Sequence, residues 1–263
     1  MQFFSKNVND NELKILMEED TEREETIEAE ALEAARQYAV AFVWALVGFG
    51  LGMVAVRAVT AICKPQDTVV QLLLGLLPFQ LTTPLAAIIG LRRMAVRKGW
   101  RRTLEWDEPK LSFQLAYRAH AILFILCIIC SFAINWLSKT VCDKLGIPFP
   151  EQSLIQMAHG NDSVLFWGVA FFSVMVLAPC VEEFIYRQIM FKALEGALRR
   201  RWAAVVLTSL CFAAAHGILP MMPALFALGV LFQEAKRRGG LRQSILLHSC
   251  YNGTMLALVL MFD

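Results

Sequence analysis

Six stretches of this chain run for 18 residues or more without a charged side chain, His counted as neutral: 38–56, 69–91, 119–138, 164–181, 202–233 and 243–262. A hydrocarbon core about 30 Å thick takes roughly 20 residues of helix at 1.5 Å each, so every run is about long enough to cross one. The run 202–233 holds 32 residues, long for one span, and Gly217, Pro220 and Pro223 interrupt it. It reads as two helices joined by a tight turn. The sequence therefore predicts seven spans and an all-α, polytopic membrane bundle. A soluble protein with a large core is disfavoured by the recurrence of these runs and by a hydrophobic content of 57%.

Lys and Arg in short loops set the orientation. Arg92, Arg93, Arg97, Lys98, Arg101 and Arg102 follow the second span, Arg199, Arg200 and Arg201 the fourth, and Lys236, Arg237, Arg238 and Arg242 the sixth. All three clusters fall on one side of a seven-span bundle. They predict a cytoplasmic N-terminus and an outward C-terminus, in an integral membrane protein of a bacterial inner (plasma) membrane. Residues 1–37 carry 11 acidic and 4 basic side chains, a net of −7 against +2 for the whole chain. With no apolar core of a signal peptide, they read as a solvated, acidic cytoplasmic segment, helical or partly disordered. Residues 38–163 then form an N-terminal group of spans, in which Gly48-x-x-x-Gly52 suits close helix packing. The stretch 139–163, with Pro148 and Pro150, reads as a loop. The seven Cys are scattered through the spans, and Cys127-x-x-Cys130 reads as small buried hydrophobes.

Polar chemistry gathers in 164–263. Glu182 and Glu183 stand back to back in Pro179-Cys180-Val181-Glu182-Glu183-Phe184-Ile185-Tyr186-Arg187. One carboxylate at the centre of a membrane helix costs roughly 2.5–3.5 kcal/mol on insertion scales, and function is the default reason to keep it. Glu183 and Arg187 are i and i+4 with the acid leading, the favoured order for an ion pair. Glu182 is rotated about 100° away and lacks that partner, which leaves it free for general-base work. Pro179 is expected to bend the helix just before the pair. Two further motifs share the pattern: Phe212-x-x-x-His216 and His248-x-x-x-Asn252 each put two groups on one helix face. A base, a second group to hold water and donors for an oxyanion are what amide hydrolysis demands. Two mechanisms fit. In one, Glu182 and His216 activate water while His248 and Asn252 stabilise the oxyanion. In the other, His216, His248 and a Glu bind zinc. His-Glu-x-x-His is absent, so no strong metal signature is present.

These motifs, in this order, resemble the CAAX protease and bacteriocin-processing (Abi) family of intramembrane endopeptidases. That family shows Glu-Glu-x-x-x-Arg, Phe-x-x-x-His and His-x-x-x-Asn or Asp, standing here as Glu182-Glu183-x-x-x-Arg187, Phe212-x-x-x-His216 and His248-x-x-x-Asn252. The resemblance covers about 164–260 and implies an endopeptidase of CAAX type, by a glutamate or a metal mechanism. It implies Glu182 as acid/base with His216, His248 and Asn252 as oxyanion donors, and Glu183, Arg187 and Phe212 as support. No cofactor is expected on the glutamate mechanism; zinc is the alternative. The expected partners are the lipid bilayer and a peptide or protein substrate in or at it, possibly prenylated, and not nucleic acid; the sequence does not set the oligomeric state. Relatives often carry Gly after that Arg, where this chain has Gln188. A silent scaffold or immunity-type protein of the same fold, or a proton-coupled transporter, are the other functions such groups serve. One conflict stands in the straight-helix picture. Glu182 lies about 27 Å along its run and His216 about 21 Å from that same far face, so the first helix must bend, tilt or begin deeper for the two to meet.

Overall fold

A computed structural model describes residues 10–104, 113–149, 153–158 and 161–262. Among the described residues every regular element is helical: α1 (Asp10–Cys63), α2 (Thr68–Lys98), α3 (Trp100–Leu104), α4 (Phe113–Leu145), α5 (Ser153–Ala158), α6 (Val164–Leu198), α7 (Arg201–Ala215), a short 3-10 turn (Leu219–Met221) and α8 (Met222–Phe262). The all-α membrane bundle expected from the uncharged runs is what forms.

Five helices, within α1, α2, α4, α6 and α8, are long and apolar enough to cross a membrane. The count of seven spans differs at α7. The run 202–233 does split, at Gly217 (φ 71°), but α7 keeps only 15 residues, about 22 Å of helix and shorter than a full crossing. The last two expected spans are the two arms of α8, parted where the sequence places a basic loop. Within α8, Gly239 (φ −136°, ψ 19°) and Gly240 (φ 74°, ψ −177°) leave helical geometry. The second conformation is essentially glycine-only, and the chain turns here. Ser244 Oγ donates to Phe232 O at 2.9 Å across the break, and the Phe232 and His248 rings stack at 4.4 Å. The arms 222–238 and 241–262 therefore lie side by side as a hairpin.

The acidic segment, where described, does not end at the membrane boundary. It continues without interruption into the apolar half of α1, a single helix of 54 residues. Likewise α4 runs past Ser138 to Leu145, so the expected loop 139–163 starts only near Pro148. α2 begins at Asp67, whose carboxylate accepts from the Val69 and Val70 N–H groups at 2.8 and 3.0 Å. α1 and α2 pack through the predicted small-residue seam. A Cβ on Gly48 would sit 2.8 Å from Ala86 Cβ, and one on Gly52 2.8 Å from Thr82 Oγ1.

Two cores hold α6. One joins it to the first pair, with Tyr38, Ala41 and Ala45 against Leu91, Met94, Ile185 and Ile189. The other joins α4, α7 and both arms of α8 through Leu123, Cys127, Phe212, Phe232, Leu247 and Tyr251. Cys127 is fully buried there as a small hydrophobe, and the described cysteines form no disulfide.

Candidate active site

The helix that carries the acid pair is irregular on both sides of Glu182. Ser173–Leu177 and Glu183–Met190 are π-helical, with i→i+5 hydrogen bonding. The Ala178 N–H reaches back to Ser173 O in that pattern. The next donor would be the N–H of residue 179 to Val174 O, and residue 179 is proline, which has none. Asn252 Nδ2 donates to Val174 O instead, at 3.0 Å. Pro179 thus acts less as a simple bend than as the cause of a missing donor, which a side chain from α8 replaces.

Glu183 is fully buried and meets three partners. Arg187 Nε lies 3.2 Å from Oε2, Ser244 Oγ donates to the same oxygen, and His248 Nδ1 donates to Oε1 at 3.0 Å. The i,i+4 pairing is the one the sequence predicts. The rest of the guanidinium meets no acceptor and lies over rings: Arg187 Cζ is 4.7 Å from the Phe212 centroid and 5.9 Å from that of Phe232. Such contacts contribute up to about 2 kcal/mol when desolvated. Lys236 Nζ donates to Arg187 O at 2.8 Å.

Glu182 has a different environment. Its side chain keeps 28% exposure while Glu183 keeps none. Glu182 Oε2 is buried without a hydrogen-bond partner and lies 3.9 Å from His248 Nε2. Because Glu183 fixes the His248 Nδ1 proton, Nε2 is the nitrogen left to act, and it faces Glu182. His216 closes α7. Its Nδ1 donates to Phe212 O at 2.9 Å, its ring packs on Phe212 at 4.9 Å, and the residue is exposed. Phe212 also meets the His248 ring at 6.1 Å.

The structure thus brings Glu182, Glu183, Arg187, Phe212 and His248 into one cluster. Asn252 joins it through the α6 backbone. The imidazole that meets Glu182 at 3.9 Å is that of His248, while His216 ends α7 and packs on Phe212. Sequence reasoning missed Ser244, Phe232 and Gln188. Ser244 lies one helical turn before His248 on the same face, a spacing that could have flagged it. Phe232 and Gln188 carry no such signal. Gln188 is fully buried, and its Nε2 donates to Tyr38 Oη at 3.1 Å and to Thr103 O at 2.8 Å, tying α6 to α1 and α3.

A zinc site would need three protein ligands around one point. Among the described residues no three His, Cys, Asp or Glu side chains gather to hold a metal ion, and both Glu183 oxygens are already engaged by protein donors.

Comparison with known proteins agrees with this geometry. Residues 164–254, which hold every member of the cluster, match the family model of type II CAAX prenyl endopeptidase Rce1-like proteins. The chain is also similar to a membrane-embedded CAAX protease, MroQ, of Staphylococcus aureus (strain USA300), with 34% identity over 91 residues. That stretch covers 31% of this chain and 36% of the relative, so the match spans about a third of each. No solved structure matches the chain. Residues 164–254 are thus similar to CAAX prenyl endopeptidases, and the chain is an integral membrane protein.

Proposed function

We propose that the chain is an intramembrane endopeptidase that hydrolyses a peptide bond of a membrane-associated substrate with a water activated by Glu182. The observation that carries this is the pairing of Glu182 Oε2, buried and without a hydrogen-bond partner, with His248 Nε2 at 3.9 Å, the ring being oriented by Glu183. In this mechanism Glu182 takes a proton from water as its oxygen attacks the scissile carbonyl, then delivers it to the departing amine. His248 donates through Nδ1 to Glu183, and its Nε2 is the donor offered to the oxyanion. Asn252 keeps its second Nδ2 hydrogen for the same oxygen, because Val174 O takes only one. His216 Nδ1 is engaged with Phe212 O, which leaves Nε2 as an acceptor for a second water hydrogen. Arg187 holds Glu183 in place and does not touch substrate.

No step in this scheme needs a metal. The family name describes prenylated CAAX substrates; a substrate of that kind, anchored in the bilayer beside an enzyme whose acid pair lies in an apolar helix, is the class proposed here. The basic clusters favour a cytoplasmic N-terminus, and a bacterial inner (plasma) membrane is the proposed location. The test is cleavage of a labelled farnesyl-CAAX peptide by purified protein in proteoliposomes. Wild type should release the tripeptide and Glu182→Gln should not. Equal cleavage by both would remove Glu182 from the mechanism.

A further inference from the structure

On the side of the bundle bearing the basic clusters, α1, α2, α3 and the end of α6 enclose a cavity of about 360 Å³. That is within the roughly 300–1,000 Å³ of small-ligand sites. Three cations from three elements face it: Lys98 from α2, Arg102 from α3 and Lys192 from α6. The single acid, Glu195, is itself met by Lys192 and Arg201, each at 3.9 Å, so the wall stays positive. Its floor is made of small side chains. Gly196 lies against Ala35 so closely that a Cβ on it would collide with Ala35 Cβ. The depth is equally specific. Tyr38 lines the cavity and is the first residue of the apolar half of α1, while Lys98 ends α2. The cavity therefore opens where hydrocarbon gives way to headgroups.

We infer that this cavity binds a phosphate-bearing anion, supplied by the headgroup of an anionic phospholipid. Arg and Lys in a concave site form charge-assisted hydrogen bonds to phosphate oxygens. Basic pockets between membrane helices on the cytoplasmic side are where anionic headgroups bind. An adjoining cavity of about 430 Å³ shares Ala34, Met94 and Lys98 and is faced by Arg93 and Arg97, but Glu30 and Glu33 stand against them, so its field is weaker. An occupant would also touch the link to the acid-bearing helix. Tyr38 Oη donates to Thr103 O at 2.8 Å and accepts from Gln188 Nε2, one residue past Arg187.

The experiment reads binding, not cleavage, so its failure is separable from failure of the peptidase proposal. Thermal unfolding of the full chain in detergent is followed with added phosphatidylglycerol, with phosphatidylcholine, or with inorganic phosphate. The expected result is a higher Tm with phosphatidylglycerol than with phosphatidylcholine. A K98Q/R102Q/K192Q variant should lose that difference, and a charge-matched R92Q/R93Q/R97Q variant should keep it. A rise with phosphatidylglycerol alone assigns a lipid source, and an equal rise with inorganic phosphate assigns a soluble one. No rise with either, or a rise that the two triple variants lose equally, overturns the site. If the first variant fails to fold, K98Q and R102Q are scored singly by the same difference.

Discussion

The α1–α2 pair and the α6–α8 cluster are both buried helix contacts in one bundle, yet they are held in opposite ways. The first is a seam of small residues, where Gly48 and Gly52 admit Thr82 and Ala86 of the neighbouring helix. It holds no ion pair that matters to chemistry. The second is filled by Arg187, Glu183, His248 and the rings of Phe212 and Phe232, all buried. In lipid, helices gain little from hydrophobic burial against each other, so packing and hydrogen bonds must supply association. A seam of small residues does that at low cost. A charged cluster is expensive, and function is the physical reason to keep it. Where a membrane bundle departs from cheap packing is therefore where its chemistry is to be sought.

The sharpest way to break the comparison is within the acid pair. Glu182→Gln should lower turnover by at least about 10²-fold while leaving thermal stability near wild type, because its buried Oε2 makes no hydrogen bond to lose. Glu183→Gln should also lose activity, but through structure. It strands the buried Arg187 and should cost roughly 3–5 kcal/mol in unfolding. Comparable stability losses for both variants would show that the two acids are one structural unit and dissolve the division between them.

Next in size is the small-residue seam. A Gly48→Val side chain meets the Thr82 backbone and Ala86. Overpacking of that kind costs about 1–3 kcal/mol. The loss should appear in Tm, with cleavage per folded molecule unchanged. A collapse of turnover at constant Tm would mean that the first pair takes part in the reaction and that the contrast between the regions is false.

The difference also explains what the sequence made legible. Charge-free runs forecast every long helix, because the length needed to cross lipid is written in composition alone. The Glu183–Arg187 pair was legible from i,i+4 spacing and Gly48/Gly52 from theirs. The span count was not, since α7 stops at His216, short of a full crossing. The turn of α8 at Gly239–Gly240 falls inside what composition shows as a basic loop. The π-helical segments were invisible, because the donor that Pro179 lacks is replaced by Asn252, 78 residues beyond Val174.

A smaller effect tests the link between the regions. Gln188→Leu removes the two hydrogen bonds to Tyr38 Oη and Thr103 O. Tyr38 Oη keeps its own bond to Thr103 O, and Gln188 Oε1 has no partner to lose. The net cost should be about 1 kcal/mol or less by unfolding. A loss several times larger would make the two regions a single cooperative core.

The smallest expected effect is none at all. Treatment of active enzyme with a strong chelator should leave its cleavage rate unchanged, and elemental analysis should find well under one zinc per chain. The reason lies in the donors. Glu183 spends both oxygens on Arg187, Ser244 and His248, and among the described residues no three His, Cys, Asp or Glu side chains gather around one point. A zinc site needs three protein ligands within about 2.0–2.2 Å of the ion. Should chelation abolish activity and zinc restore it, the cluster must rearrange around the ion. The contrast between the cheap seam and the charged cluster would then survive, but Glu183 would pass from a structural anchor to a metal ligand. Its Gln variant would lose zinc as well as stability.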